Sequence, residues 1–320
     1  MLHRTFKFNN DDIDKAFAER QFSLVFQPKV RLRDGLICGA EAFVRWRHPE
    51  FGILPPGLFI PYLEKQERAE ELTKHILKQA AKACNVWRKT GHNWDVSVNL
   101  SLSDLHNPDF ISVVEDVIKT HELPPGMLSL ELPQTITYLG PNRRQDGEGY
   151  EGGDRRRDSG TAKIWNQILR TVYELKTRGI RIALDGGGNA LAAIEMFEPQ
   201  PFTEIKVGGV TVRQVAIAET APEQSVTPSR MRFALEMGVA TVAVGVEDAQ
   251  ALRAVKEAGF TAAQGTFIGR PVPALSLLEW RPNHLKSVIG ALPAPQKPAS
   301  MVQTKDEHSL KAKLRKKVIH

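Results

Sequence analysis

The sequence has no apolar run approaching 18 residues, so no stretch reads as a transmembrane helix. Its first residues, MLHRTFKFNNDDIDK, lack the apolar core of a secretory signal. Cysteine is scarce. Cys38 and Cys84 are too few for a disulfide framework, which makes a reducing compartment, the cytoplasm, the expected location. Both read as small buried hydrophobes. The nine histidines are scattered, with no pair at metal-ligand spacing on one helix. No G-K-[ST] is present, which excludes a P-loop.

Basic charge is plentiful overall but missing from most of the chain. The net charge is +6 and the isoelectric point about 9.3. Residues 281–320 hold nine Lys/Arg against two acids, leaving 34 basic and 35 acidic groups in the other 280 residues. The excess therefore sits in the tail. It reads as a solubilising tail or one that touches a membrane surface, nucleic acid or an acidic partner, while the rest of the chain does not read as a nucleic-acid-binding domain.

At 42% hydrophobic residues, 320 residues can bury a sizeable core. Strand-like segments fall at 22–32, 37–47, 94–100, 127–133, 180–185, 203–208, 240–246 and 262–268. Helix-like segments fall at 67–90, 108–121, 161–178, 227–238 and 247–258. A short Arg-Asp-Gly turn makes a hairpin of the first two strands. The rest alternates strand and helix, which fits a (β/α)₈-type barrel, with a doubly wound open sheet as the alternative. Residues 140–160, GPNRRQDGEGYEGGDRRRDSG, are too polar to build core and read as a flexible insertion. Residues 1–14 read as a lead, 15–280 as the barrel, and 281–320 as a Pro-containing linker and a basic tail. The stretch SLKAKLRKKVI near the end has some amphipathic spacing.

The stretch IALDGGGNALAAI at 182–194 poses a question about its glycines. It follows a strand and opens a helix, as a dinucleotide fingerprint does. The spacing fails, because G-x-G-x-x-G would need glycine at 191, which is leucine. In a barrel, side chains at the C-terminal strand ends share one mouth. Those ends carry Gln27, Glu41, Asn99, Glu131, Asp185, Lys206, Glu247 and Gln264. Taken singly, each reads as a capping or salt-bridged residue. Together, Glu41, Asn99, Glu131 and Asp185 form an oxygen-only donor set of the kind that suits Mg²⁺ or Mn²⁺.

The stretch GAEAFVRWRHPEFG (39–52) resembles the E-A-L-x-R-W-x-H-P signature of EAL domains, the bacterial phosphodiesterases of cyclic di-GMP. FQPKV, VSVNLS, LSLELPQT, IALDGGGNAL, EIKVGG, VAVGVED and AAQGTFIGRPVP follow in family order, so the resemblance spans about residues 15–280. It implies a modified TIM barrel with one antiparallel strand and two-metal hydrolysis of a phosphodiester. By resemblance, Glu41, Asn99, Glu131 and Asp185 match the first-metal ligands, and Lys206 matches the catalytic lysine. Gln27, Arg45 and Gln264 match positions near the dinucleotide, and Glu247 matches a residue that orients its surroundings. His48 belongs to the signature as a structural residue.

The resemblance also exposes departures. Gly186 stands where the family has the second-metal aspartate, Val244 where it has a glutamate, Gln134 where a glutamate steadies the loop, and Gly208 where K-I-D has its aspartate. Phe43 replaces the signature leucine. With four carboxylates gone from one mouth, the glycines at 186–188 read as a relaxed metal loop. A weak first-metal site could survive, while the second is absent and Lys206 is a vestige. Three readings follow: a non-catalytic cyclic di-GMP receptor acting through partners, a protein-interaction module that binds no nucleotide, and a weak phosphodiesterase yielding linear pGpG. A protein partner, and a homodimer through helices near the fifth and sixth strands, are further expectations of the resemblance.

Overall fold

The computed structural model describes residues 6–136, 159–186, 197, 200–208, 212 and 228–290. Nearly all of the 140–160 insertion, Gly187 and Gly188, and the tail beyond Gly290 lie outside the described residues. Among the described residues no helix is long and apolar enough to cross a membrane.

Among the described residues nine strands form one sheet: β1 (Phe22–Arg31), β2 (Ile37–His48), β3 (Gly52–Leu54), β4 (Asp95–Asn99), β5 (Leu128–Leu132), β6 (Arg181–Asp185), β7 (Glu204–Val207), β8 (Ala240–Val244) and β9 (Ala262–Gln264). Strand β1 pairs antiparallel with both β2 and β9, and β2, β4, β5, β6, β7, β8 and β9 pair parallel in that order. The ring closes as an eight-stranded barrel, with β3 hung outside on β2. The barrel and its reversed first strand match the sequence reading. The open-sheet alternative does not hold, and β3 is too short to show as a periodic run.

The helices are α1 (Asn10–Ala18), α2 (Pro56–Lys65), α3 (Ala69–Lys89), α4 (Leu102–His106), α5 (Phe110–Thr120), α6 (Ser159–Thr177), α7 (Pro228–Glu236), α8 (Ala249–Glu257) and α9 (Lys286–Ile289). Helix α3 buries Leu72, Ile76, Ala80, Cys84 and Trp87, a stripe recurring every three or four residues, with Leu77 beside it. Helix α1 straddles the boundary drawn at residue 15. A capping box of Asn9 and Asp12 starts it, and Ile13 and Ala16 are fully buried. Beyond residue 280, Leu285 and Ile289 also join the core. Cys84 is buried as read, whereas Cys38 is only half-buried, and burial raises both thiols to about 12.

Inside the barrel, side chains stack in layers from alternate strand positions. The lower layer is ionic and went unread in the sequence. Lys29 Nζ lies 2.6 Å from Glu204 Oε2 and 3.4 Å from Asp95 Oδ1, and Arg181 Nε is 3.4 Å from Asp95 Oδ2. Burial opposes the charge on Lys29, but Asp95 and Glu204 outweigh it and hold its pKa above the usual lysine value. Gly39 makes room for this cluster, since a Cβ there would lie 1.8 Å from Asp95 Oδ1.

Candidate functional site

The upper layer gathers residues that the sequence reading placed at strand ends, although Gln27 and Glu41 lie in the middle of β1 and β2 and β1 runs antiparallel to its neighbours. Antiparallel pairing sets Gln27 opposite Glu41, and parallel pairing sets Asn99 beside Glu131 and Asp185 beside Lys206. Gln27, Glu41, Phe43, Glu131, Asp185, Lys206, Val244, Gly245 and Gln264 line one cavity of about 200 Å³.

Glu41 is its hub. Oε1 accepts from Asn99 Nδ2 at 2.7 Å, while Oε2 accepts from Lys206 Nζ at 2.7 Å and Gln264 Nε2 at 2.9 Å. Gln264 Nε2 also donates to Gln27 Oε1 at 3.0 Å, and Gln27 Nε2 donates to the Gly269 carbonyl at 3.0 Å. The Lys206 ammonium pairs with Glu131 as well, so one cation sits between two carboxylates.

Titration follows from that count of charges. Burial alone would raise Glu41, but Lys206 and the bonds from Asn99 and Gln264 hold it below the usual carboxylate value. Burial would lower Lys206, but Glu131 and Glu41 raise it. One ammonium cannot neutralise two carboxylates. The surplus falls on Glu131, which burial and the nearby Glu41 charge push up to about 8. Asp185 is exposed at the rim, yet partial burial still raises it.

Of the metal, ligand, catalytic and orienting residues predicted for the site, all but Arg45 and Glu247 either line this cavity or bond into it. Arg45 is half-buried. Its Nη1 donates 2.8 Å to the Val44 carbonyl, and its guanidinium lies 5.8 Å from the Phe43 ring. Glu247 is exposed in the turn after β8 and does not line the cavity. Gln134 is half-buried in the turn after β5, and Gly186 is buried directly beyond Asp185. Val244 lines the cavity, and a Cβ on Gly208 would meet its Cγ2 at 2.4 Å.

The four first-metal candidates have the donor chemistry for Mg²⁺ or Mn²⁺, but their arrangement does not fit an ion. Among the described residues no three His, Cys, Asp or Glu side chains gather into a metal-binding group. Lys206 already occupies the place between Glu41 and Glu131. Glu131 Oε2 and Gln264 Oε1 have no hydrogen-bond partner among the described residues, so the mouth retains some unused polar capacity. His48 is structural, as read: its Nδ1 accepts backbone N–H bonds from Glu50 and Phe51 at 3.2 and 3.3 Å.

Comparisons with known proteins agree with this fold. The EAL domain family model matches residues 10–271. An uncharacterized signaling protein of Caulobacter vibrioides is 28% identical over 269 residues, covering 84% of this chain and 30% of the relative. The bifunctional diguanylate cyclase/cyclic di-GMP phosphodiesterase MucR of Pseudomonas aeruginosa is 25% identical over 268 residues, covering 83% of this chain and 35% of the relative. The chain thus spans about a third of those relatives' length. Among solved structures, the PaMucR phosphodiesterase in complex with c-di-GMP superposes with a TM-score of 0.68 at 24% identity, covering 84% of this chain and 98% of that one. The Xanthomonas citri FimX EAL domain in complex with c-diGMP gives 0.64 at 18% identity, covering 82% and 93%. At these identities the superpositions speak to fold. The family match extends over most of the described barrel, and the chain belongs to the EAL domain family.

Proposed function

We propose that this chain is a cyclic di-GMP-binding EAL domain that acts through a protein partner and hydrolyses little or no nucleotide. The observation that carries this reading is the Lys206 ammonium seated between Glu41 and Glu131. The carboxylates that would draw an ion into the mouth are engaged by a cation the chain supplies itself. Gly186, Gly208 and Val244 add no carboxylate to offset that. Loss of one acid/base group typically costs about 10²–10⁴-fold in rate. Such losses do not simply add, but together they leave little turnover.

Binding draws on different groups. Gln27 and Gln264 present amides to the cavity, with Gln264 Oε1 still unpaired, and Arg45 supplies a charge suited to phosphate. A cavity of about 200 Å³ takes part of a dinucleotide and leaves the rest over the mouth. A single Mg²⁺ or Mn²⁺ would be held by Glu41, Asn99, Glu131 and Asp185 only after Lys206 moved aside, so its binding is weak. This reading places the chain in the cytoplasm, with the homodimer and the basic tail as further contact surfaces.

One observation favours a second reading, an interaction module that binds no nucleotide. The Arg45 guanidinium turns back onto its own neighbour's carbonyl, and the apolar Phe43 ring lines the mouth. Chromatography of cyclic di-GMP incubated with the protein and Mn²⁺ separates the catalytic outcome from both. Our reading predicts unchanged nucleotide. A linear product that disappears in Glu41→Ala would make the chain a phosphodiesterase.

A further inference from the structure

A second and larger concavity, about 1,020 Å³, opens on the outer side of β2 between α2, α3 and the loop after β4. Its floor includes Ala42, Val44, Leu63, Ile76, Leu100 and Pro133. Three carboxylates, Glu64, Glu67 and Glu70, stand along one edge. Glu70 accepts a single bond from Asn107 Nδ2 at 2.6 Å. Glu67 holds a left-handed backbone conformation at φ +57°, which a side chain with a Cβ adopts at some energetic cost. That turn fixes the residue between α2 and α3, on the lip of the groove.

An apolar trough with one acidic bank calls for an amphipathic segment with one basic face. The chain contains such a segment. Residues 309–320, SLKAKLRKKVIH, carry five Lys/Arg and no acid. Leu310, Leu314 and Val318 recur every four residues, the spacing that aligns side chains on one helical face. The 20 residues between Ile289 and Leu310 span at most about 70 Å when extended and about 25 Å as a flexible coil. The extended length suffices to cross a domain of this size, whose radius of gyration is on the order of 20 Å, and the coil length reaches about half-way.

We infer that the groove is the docking site of the chain's own C-terminal segment, with Leu310, Leu314 and Val318 against the apolar floor and the basic face against Glu64, Glu67 and Glu70. The groove shares a wall with the mouth. Phe43 lines both cavities, and Asn99, which lines the groove, is the residue that donates to Glu41. A docked tail thus lies one side chain away from the hub of the site, and its release would be felt there.

Amide hydrogen exchange of the full chain tests this. The segment 60–76 is followed in the wild type, in Leu310→Asp/Leu314→Asp, in Glu64→Lys/Glu67→Lys, and in all four changes together. A tethered segment works at an effective concentration near millimolar, so even a weak contact protects its groove about tenfold. We expect each double variant to raise exchange by about that factor, and the combined variant to add nothing further. Unaltered exchange in the tail variant, while its far-ultraviolet circular dichroism matches wild type, would overturn the inference. So would protection that rises with protein concentration, which would assign the groove to a second copy.

Discussion

Lys206 Nζ lies 2.7 Å from Glu41 Oε2, and both groups are buried, the lysine at 2% exposure. An ammonium withdrawn from water in this way is stable only because Glu41 and Glu131 flank it. Lys206→Met should therefore destabilise the barrel by about 3–5 kcal/mol, since it leaves the buried Glu41 carboxylate without its counter-ion. Urea unfolding measures the loss. Mn²⁺ should recover part of it in the variant and little in the wild type, because only the variant has carboxylates free to hold an ion. Equal stability of the two proteins would contradict the internal-cation account.

Glu131 sets a pH dependence. Its folded pKa, about 8, lies above the unfolded carboxylate value, so between those limits the folded state holds a proton that the unfolded state has lost. That contribution to stability is complete below the unfolded value and is lost as pH rises to about 8. Glu131→Gln cannot ionise. Its melting temperature relative to wild type should therefore rise from pH 5 to pH 8, and a flat difference would show that Glu131 is ionised throughout.

Gly208 and Val244 are a coupled pair, because a Cβ at 208 would lie 2.4 Å from Val244 Cγ2. Gly208→Asp alone should cost about 1–3 kcal/mol through overpacking, and Val244→Ala should relieve most of that. A double-mutant cycle in urea detects the coupling, and simple additivity would contradict it.

Restoring carboxylates should restore chemistry. Gly186→Asp with Val244→Glu is expected to give measurable Mn²⁺-dependent linear product, because Glu41, Asn99, Glu131, Asp185 and Lys206 are still in place. A double variant that binds metal and cyclic di-GMP yet releases no product would count against that expectation.

The lower layer offers an independent check on packing. Gly39→Ala places a methyl on the Asp95 carboxylate and should destabilise by about 1–3 kcal/mol. Calorimetric unfolding reads the effect, and a neutral result would mean that Asp95 moves freely out of the Lys29 cluster.

The barrel was legible because strand-like runs alternate with helix-like ones and most of these apolar runs carry a polar residue at one level, such as Glu41 or Lys206. Strand β3 and helices α1, α2 and α4 escaped notice because they are short or, in α2, carry Pro61 inside the helix. The Lys29–Asp95–Glu204–Arg181 cluster was invisible for a different reason. Its members are far apart in sequence, and each alone resembles an ordinary strand charge. Only closure of the ring between β1 and β9 brings them together. The site residues could be named in advance, but their state could not. That Lys206 bridges Glu41 and Glu131 is a matter of distances, as is Arg45 turning to its own backbone.

The most direct test is calorimetric titration of the full chain with cyclic di-GMP, first in Mg²⁺ and then in chelator. The account predicts saturable heat in both conditions, abolished by Arg45→Ala. An absence of heat from protein whose barrel is shown to be folded, or binding that vanishes with the metal, would contradict it.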